Sequence, residues 1–181
     1  MGNELKNAQD RTDAKMRFSR LHLDELLHYT RKGSGDDFDR SHTESFLFQL
    51  IGVRDAFLQE LNLHYKCKLE LHKVSINSLR GYFRKNGTKC DELEELRTLE
   101  DKKDSWLYAA IEMRNHSTHR RSVSREFYVG GSEDGQVHLI NPGTNESLGE
   151  DYASTFQMWC REMEQLVETL RDSYLKKIQL T

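Results

Sequence analysis

Residues 46 to 61 carry a pattern that leaves little choice of local structure. Phe46, Leu50, Val53, Phe57 and Leu61 recur at steps of four, three, four and four, the period of one helix face. Leu47, Ile51, Leu58 and Tyr65 widen the stripe. A second run, Tyr152, Phe156, Trp159, Met163, Leu166, Leu170 and Tyr174, recurs near the end of the chain at steps of four, three, four, three, four and four. Long helices with one apolar face each must bury those faces against other helices. Composition agrees: one proline and 11 glycines in 181 residues are too few turn formers for disorder or for many short strands.

The remaining elements follow from breaks and caps. A first helix is predicted over about residues 8 to 31, with Met16, Leu23, Leu26, Leu27 and Tyr29 among its apolar positions. The run GSGDD, residues 33 to 37, ends it, because glycine and aspartate favour turns. Ser41 and Glu44 have capping-box spacing and mark the start of the second helix. Gly52 inside that helix costs stability, which points to a close helix crossing. A shorter helix is expected over about 75 to 86, stopping at Gly87. Asp91 and Glu94 then open a long helix that runs through Leu93, Trp106, Leu107, Ala110 and Met113 to the 114–119 segment. REFYV (125–129) and QVHLI (136–140) flank GGSEDG and predict a β-hairpin, closed off by Asn141, Pro142 and Gly143. The last helix is expected over about 150 to 178. The predicted fold is therefore all-α: an up-and-down bundle of about five helices, with a small hairpin inserted before the last, in one domain over residues 1–181.

Charge and cysteine usage narrow the function classes. A net charge of −3 excludes a molecule that is basic all over, so any nucleic-acid contact must be a local patch. No run approaches the length of a membrane span and the first fifteen residues are polar, so neither a membrane segment nor a secretory signal is expected. Cys67, Cys90 and Cys160 are odd in number and far apart. They read as reduced cysteines of a cytoplasmic protein rather than as a disulfide or CxxC framework.

One segment is chemically pointed. Residues 114–125, RNHSTHRRSVSR, hold Arg114, Arg120, Arg121 and Arg125 together with His116 and His119, and no acid. The stretch 91–104 before it carries seven acidic residues against three basic ones. Cations at a helix C-terminus complement its dipole, which is the purely structural reading. The functional reading is a phosphate site, since arginine offers a fork of donors and histidine moves protons near neutral pH. RNA supplies its own 2′-hydroxyl nucleophile, so an Arg and a His suffice for cleavage without a metal.

Arg114, Asn115 and His119, with four residues between Arg and His late in a helical bundle, resemble the motif of the HEPN superfamily. That family includes metal-independent endoribonucleases of RNA processing, toxin–antitoxin and phage-defence systems, usually dimeric, and members without demonstrated cleavage. The resemblance implies catalytic roles for Arg114, Asn115 and His119, no cofactor, a homodimer and an RNA or nucleotide partner. His116, Arg120, Arg121 and Arg125 would then line the nucleic-acid path.

Arg17 and His22 show the same spacing, but without the adjacent Asn and without a basic run after the histidine, and read as structural. Five residues at about 100° each set Arg114 and His119 roughly 140° apart around a regular helix. Either the helix ends or unwinds near Ser117, or the same motif of a second subunit completes the site. Arg54 and Asp55 sit within the apolar pattern of the second helix, as support for Arg114 or substrate or as a structural polar network. His64 and Cys67 are three apart but lack further ligands, so no metal is expected. His22, His28, His42, His72 and His138 are scattered and receive no function. The alternative function is a noncatalytic helical module that binds nucleic acid, a nucleotide or a protein partner.

Overall fold

The computed structural model describes residues 2–30, 36–119, 123–133 and 135–179, the side chains of residues 2, 29, 30, 36, 118, 119, 133, 178 and 179 excepted. Six α-helices make up most of the chain: α1 (Gly2–Thr30), α2 (Asp36–His64), α3 (Ile76–Lys85), α4 (Asp91–Asp101), α5 (Trp106–His119) and α6 (Tyr152–Gln179). Strands β1 (Arg125–Phe127), β2 (Val137–Ile140) and β3 (Ser147–Asp151) lie between α5 and α6.

Both apolar stripes face inward. Phe46, Leu50, Val53, Phe57 and Leu61 of α2 are buried, as are all seven stripe residues of α6. Phe46 meets Phe156 with ring centroids 4.8 Å apart, and Phe156 meets Trp159 at 5.7 Å. Leu23 and Leu26 of α1, Leu79 and Phe83 of α3, Leu93 and Leu96 of α4 and Leu107 and Met113 of α5 join the same cluster. The burial of such side chains, each contributing about 1.5–3 kcal/mol, is the main force holding the helices together.

Helix α1 runs back along α2, and Ala8, Thr12 and Ser19 keep its buried face narrow. The close crossing expected at Gly52 is made by a side chain: a Cβ there would lie 3.2 Å from Lys15 Cδ. Lys15 Nζ then donates to Gln49 Oε1 at 2.9 Å.

Several helix limits differ from expectation, each for a local reason. α1 begins at Gly2 rather than near residue 8. α2 begins at Asp36, so Ser41 is inside it and its hydroxyl donates to Phe38 O at 2.9 Å instead of capping. The side chain of Asp37 lies in the first turn, where an acid suits the positive end of the helix dipole. Residues 33–35 of the expected break lie outside the described residues. Asp91 does not cap α4; Cys90 holds that position without a side-chain bond. The expected long helix from 91 is two helices, because Ser105 caps afresh: its Oγ accepts from Tyr108 N–H at 3.0 Å and donates to Leu99 O. α3 matches its expected span, with Ser75 and Ser78 in a reciprocal capping box and Gly87 at φ +62° beyond its end.

The expected hairpin is part of a three-stranded antiparallel sheet, ordered β1-β2-β3. Arg125, Glu126 and Phe127 pair with Leu139, His138 and Val137, while His138 and Ile140 pair with Asp151 and Ser147. Asn141, Pro142 and Gly143 do not close the excursion but turn it back. Asn141 Oδ1 accepts from Gly143 N at 2.9 Å, and Asn141 N donates to Glu146 O at 2.8 Å. A Cβ on Gly143 would stand 2.4 Å from Tyr108 Cε1, so only glycine lets this turn press against α5. At the far end, Asp151 starts α6: its carboxylate accepts from Ala153 N at 3.1 Å and from Val137 N at 3.3 Å.

Candidate functional site

Helix α5 positions the 114–119 segment. Ser105 caps its start, and Leu107, Ala109, Ala110 and Met113 bury its inner face. Arg114 follows Met113 directly and is half-buried, as are Asn115, His116 and Ser117. Arg114 and Asn115 are both engaged by neighbours. The helix does not end or unwind near Ser117; it is α-helical through His119, and Ser117 Oγ donates to Arg114 O at 3.0 Å. A continuous helix leaves the Arg114 and His119 positions about 140° apart around the axis. The side chain of His119 and the whole of Arg120 and Arg121 lie outside the described residues, so their expected roles find no geometry here.

Arg125 sits on β1 and is held by the bundle. Its Nη2 donates to Thr43 Oγ1 of α2 at 3.1 Å, and its guanidinium lies 5.2 Å from the ring centre of Tyr152 at the start of α6. Together with Arg40, Thr43, Glu44, Ser124 and Phe127 it lines a cleft of about 380 Å³. The cleft carries cations, Arg40 and Arg125, with one acid, Glu44, which Arg40 faces at 3.8 Å.

Arg54 and Asp55 form a polar network with each other and with α4. Arg54 Nη1 donates to Asp55 Oδ1 at 2.5 Å, and its Nε donates to Glu100. Burial disfavours the Arg54 charge, and its pairing with Glu100 and then Asp55 more than restores it.

Two buried carboxylates were not singled out by sequence reasoning. Glu60, fully buried on α2, takes both arms of Arg171 of α6, at 2.7 and 3.0 Å, and a bond from Tyr174 OH at 2.9 Å. Arg171 also donates to Asp13 of α1 at 2.6 Å. Glu92 of α4, 1% exposed, accepts from Lys177 Nζ at 2.8 Å, Ser173 Oγ at 2.6 Å and Tyr65 OH at 2.8 Å. Burial alone raises its pKa, but the bonds from Lys177, Ser173, the backbone and Tyr65 prevail and bring it down to about 2. A signal for Glu60 existed: it lies three residues after Phe57, in register with the core stripe. These networks lock α1, α2, α4 and α6 together and lie on helices other than α5.

The other polar residues separate cleanly. His64 stacks on Tyr174 with ring centroids 4.4 Å apart. Cys67, Cys90 and Cys160 are free and buried, and burial pushes the Cys67 thiol up to about 11 and the Cys90 thiol up to about 12. Thiols so raised are poor nucleophiles. His138 is buried on β2, where its Nε2 pairs with Gln136 Oε1 at 2.9 Å and its Nδ1 with Ser147 Oγ at 3.3 Å. Among the described residues, no three His, Cys, Asp or Glu side chains converge to hold a metal, and no helix is long and apolar enough to cross a membrane.

No curated protein and no solved structure matches this sequence. A family profile does match, over residues 7–176, which is nearly the whole chain. The chain belongs to the family of unknown function DUF6586.

Proposed function

We propose that this chain is an RNA-linked, HEPN-like protein whose site is the C-terminal end of α5, acting as a metal-independent endoribonuclease in a homodimer. The observation that carries the reading is the unbroken helix through His119. The Arg114 and His119 positions lie about 140° apart around that helix, which disfavours a site in which one chain supplies both groups to one phosphate. Two copies related by a two-fold axis do, because the same segment then meets itself. The acid-free basic run of residues 114–125 supplies the attraction for a phosphate backbone.

In this reading His119 takes the proton from the ribose 2′-hydroxyl or returns one to the leaving 5′-oxygen. The 2′-oxygen attacks phosphorus and the P–O5′ bond breaks. The products are a 2′,3′-cyclic phosphate and a 5′-hydroxyl end. Arg114 stabilises the charge that develops on the phosphoryl oxygens, and Asn115 orients one of the two. His116, Arg120 and Arg121 hold the flanking backbone. Arg125, tied to Thr43 and Tyr152, fixes the path of the strand that leaves the site. The test is cleavage of a mixed-sequence RNA in excess EDTA. The wild type should cut and His119→Ala should not; equal cutting by the variant would remove His119 from the chemistry.

A second reading draws on one observation: Arg114 and Asn115 are already engaged within a single chain. A noncatalytic module would use the basic run to bind RNA or a nucleotide without turnover. It predicts salt-sensitive affinity that falls on removing Arg120 and Arg121, with no cleavage product at any enzyme concentration.

A further inference from the structure

Two histidines that the sequence left scattered meet in the fold. His22 lies on α1, eight residues before its end, and His42 lies on α2, six residues after its start. Their Nδ1 atoms stand 3.4 Å apart across the seam between the helices, with ring centroids 5.4 Å apart. The ring of Phe38 packs on His42, centroids 4.2 Å apart, and fixes its plane. Both histidines are half-buried, so one side of the pair remains open to water.

From this geometry we propose that His22 and His42 form a two-imidazole site for a borderline transition-metal dication such as Zn²⁺ or Ni²⁺, clasping α1 to α2. Imidazole nitrogens about 2.0–2.1 Å from a tetrahedral ion lie about 3.3–3.4 Å from each other. The two facing Nδ1 atoms therefore already stand at the spacing of two ligands on one ion. Without an ion, one Nδ1–H donates to the other ring's lone pair. On binding, that proton moves to Nε2 and both Nδ1 lone pairs point at the metal. Water fills the remaining positions, which suits ions of the imidazole-preferring class.

The site is distinct from the α5 segment and does not depend on the function proposed for it. It also differs from a four-ligand structural centre: it is a clamp on a helix pair.

The test is calorimetric titration of the full chain with ZnCl₂ and with NiSO₄ near neutral pH. Wild type should take up a single ion per chain. His22→Gln and His42→Gln should each weaken binding by about tenfold or more, while the His116→Gln/His119→Gln double variant should bind like wild type. Saturating Zn²⁺ should also raise the melting temperature of wild type by mass action and leave that of His22→Gln/His42→Gln unchanged. Circular dichroism of the variants checks that the helices persist. Absence of saturable binding, or equal binding by His22→Gln/His42→Gln, would overturn the assignment.

Discussion

Glu92 offers the sharpest stability test, because its whole environment is on view. The perturbation is Glu92→Gln, compared with wild type across the acid range. The carboxylate is 1% exposed and accepts from Lys177, Ser173 and Tyr65 at 2.6–2.8 Å. Those bonds, against the cost of burial, lower its pKa from 4.5 to about 2, a difference that corresponds to about 3 kcal/mol. Lys177 is 42% exposed, so water screens its share, and the expected loss in Glu92→Gln at neutral pH is about 2 kcal/mol. The sign follows from proton counting. Between pH 4.5 and about 2 the unfolded chain binds a proton at Glu92 that the folded chain does not. The stabilisation is therefore complete above 4.5 and is lost as pH falls through about 2. Urea unfolding followed by circular dichroism should show wild type and variant well separated at neutral pH and converging below pH 4.5. A separation that stays constant with pH, or no separation at neutral pH, would refute the reasoning.

Other outcomes follow from the same contacts. Arg171→Leu should destabilise by about 3–5 kcal/mol in urea melts, because it leaves the fully buried Glu60 charged and unpaired. The double variant Glu60→Leu/Arg171→Leu should recover part of that loss, and a purely additive result would deny the coupling. Gly143→Ala should cost about 1–3 kcal/mol, since its Cβ would fall 2.4 Å from the Tyr108 ring; Tyr108→Ala should relieve the clash, and thermal melts of the pair check it. Thiol reagents should label the native chain slowly, because Cys67, Cys90 and Cys160 are buried and their thiol pKa values are raised; rapid labelling of all three under native conditions would contradict the packing.

The parts of the fold that were legible in the sequence are those where one face is uniformly apolar. Phe46, Leu50, Val53, Phe57 and Leu61 of α2 and all seven stripe residues of α6 are buried, because a 3.6-residue period has only one way to hide. The parts that were missed depend on single polar groups. Ser105 splits the expected long helix with one hydroxyl, a signal that Asp104-Ser105 ahead of Trp106 carries but that the surrounding apolar positions mask. The strand β3, SLGED, has no β-branched residue and reads as loop; it is a strand because the Asn141 turn returns the chain beside β2. Of the candidate site, Arg114 stands seven residues after Leu107, two helical turns on, and that spacing makes its place beside the buried face of α5 legible. The anchoring of Arg125 by Thr43 and Tyr152 was not, since both partners are distant in sequence. Nor was the meeting of His22 with His42, which depends on how α1 aligns against α2.

Mixing variants tests directly whether two copies of the α5 end build one site. Arg114→Ala and His119→Ala chains are each expected to be inactive on RNA in EDTA. Unfolded and refolded together, they should form mixed dimers in which one site keeps the Arg114 of one chain and the His119 of the other. Such a mixture should regain about a quarter of wild-type cleavage if dimers form at random. A mixture as inactive as its two components, measured beside an active wild type, would contradict the shared site.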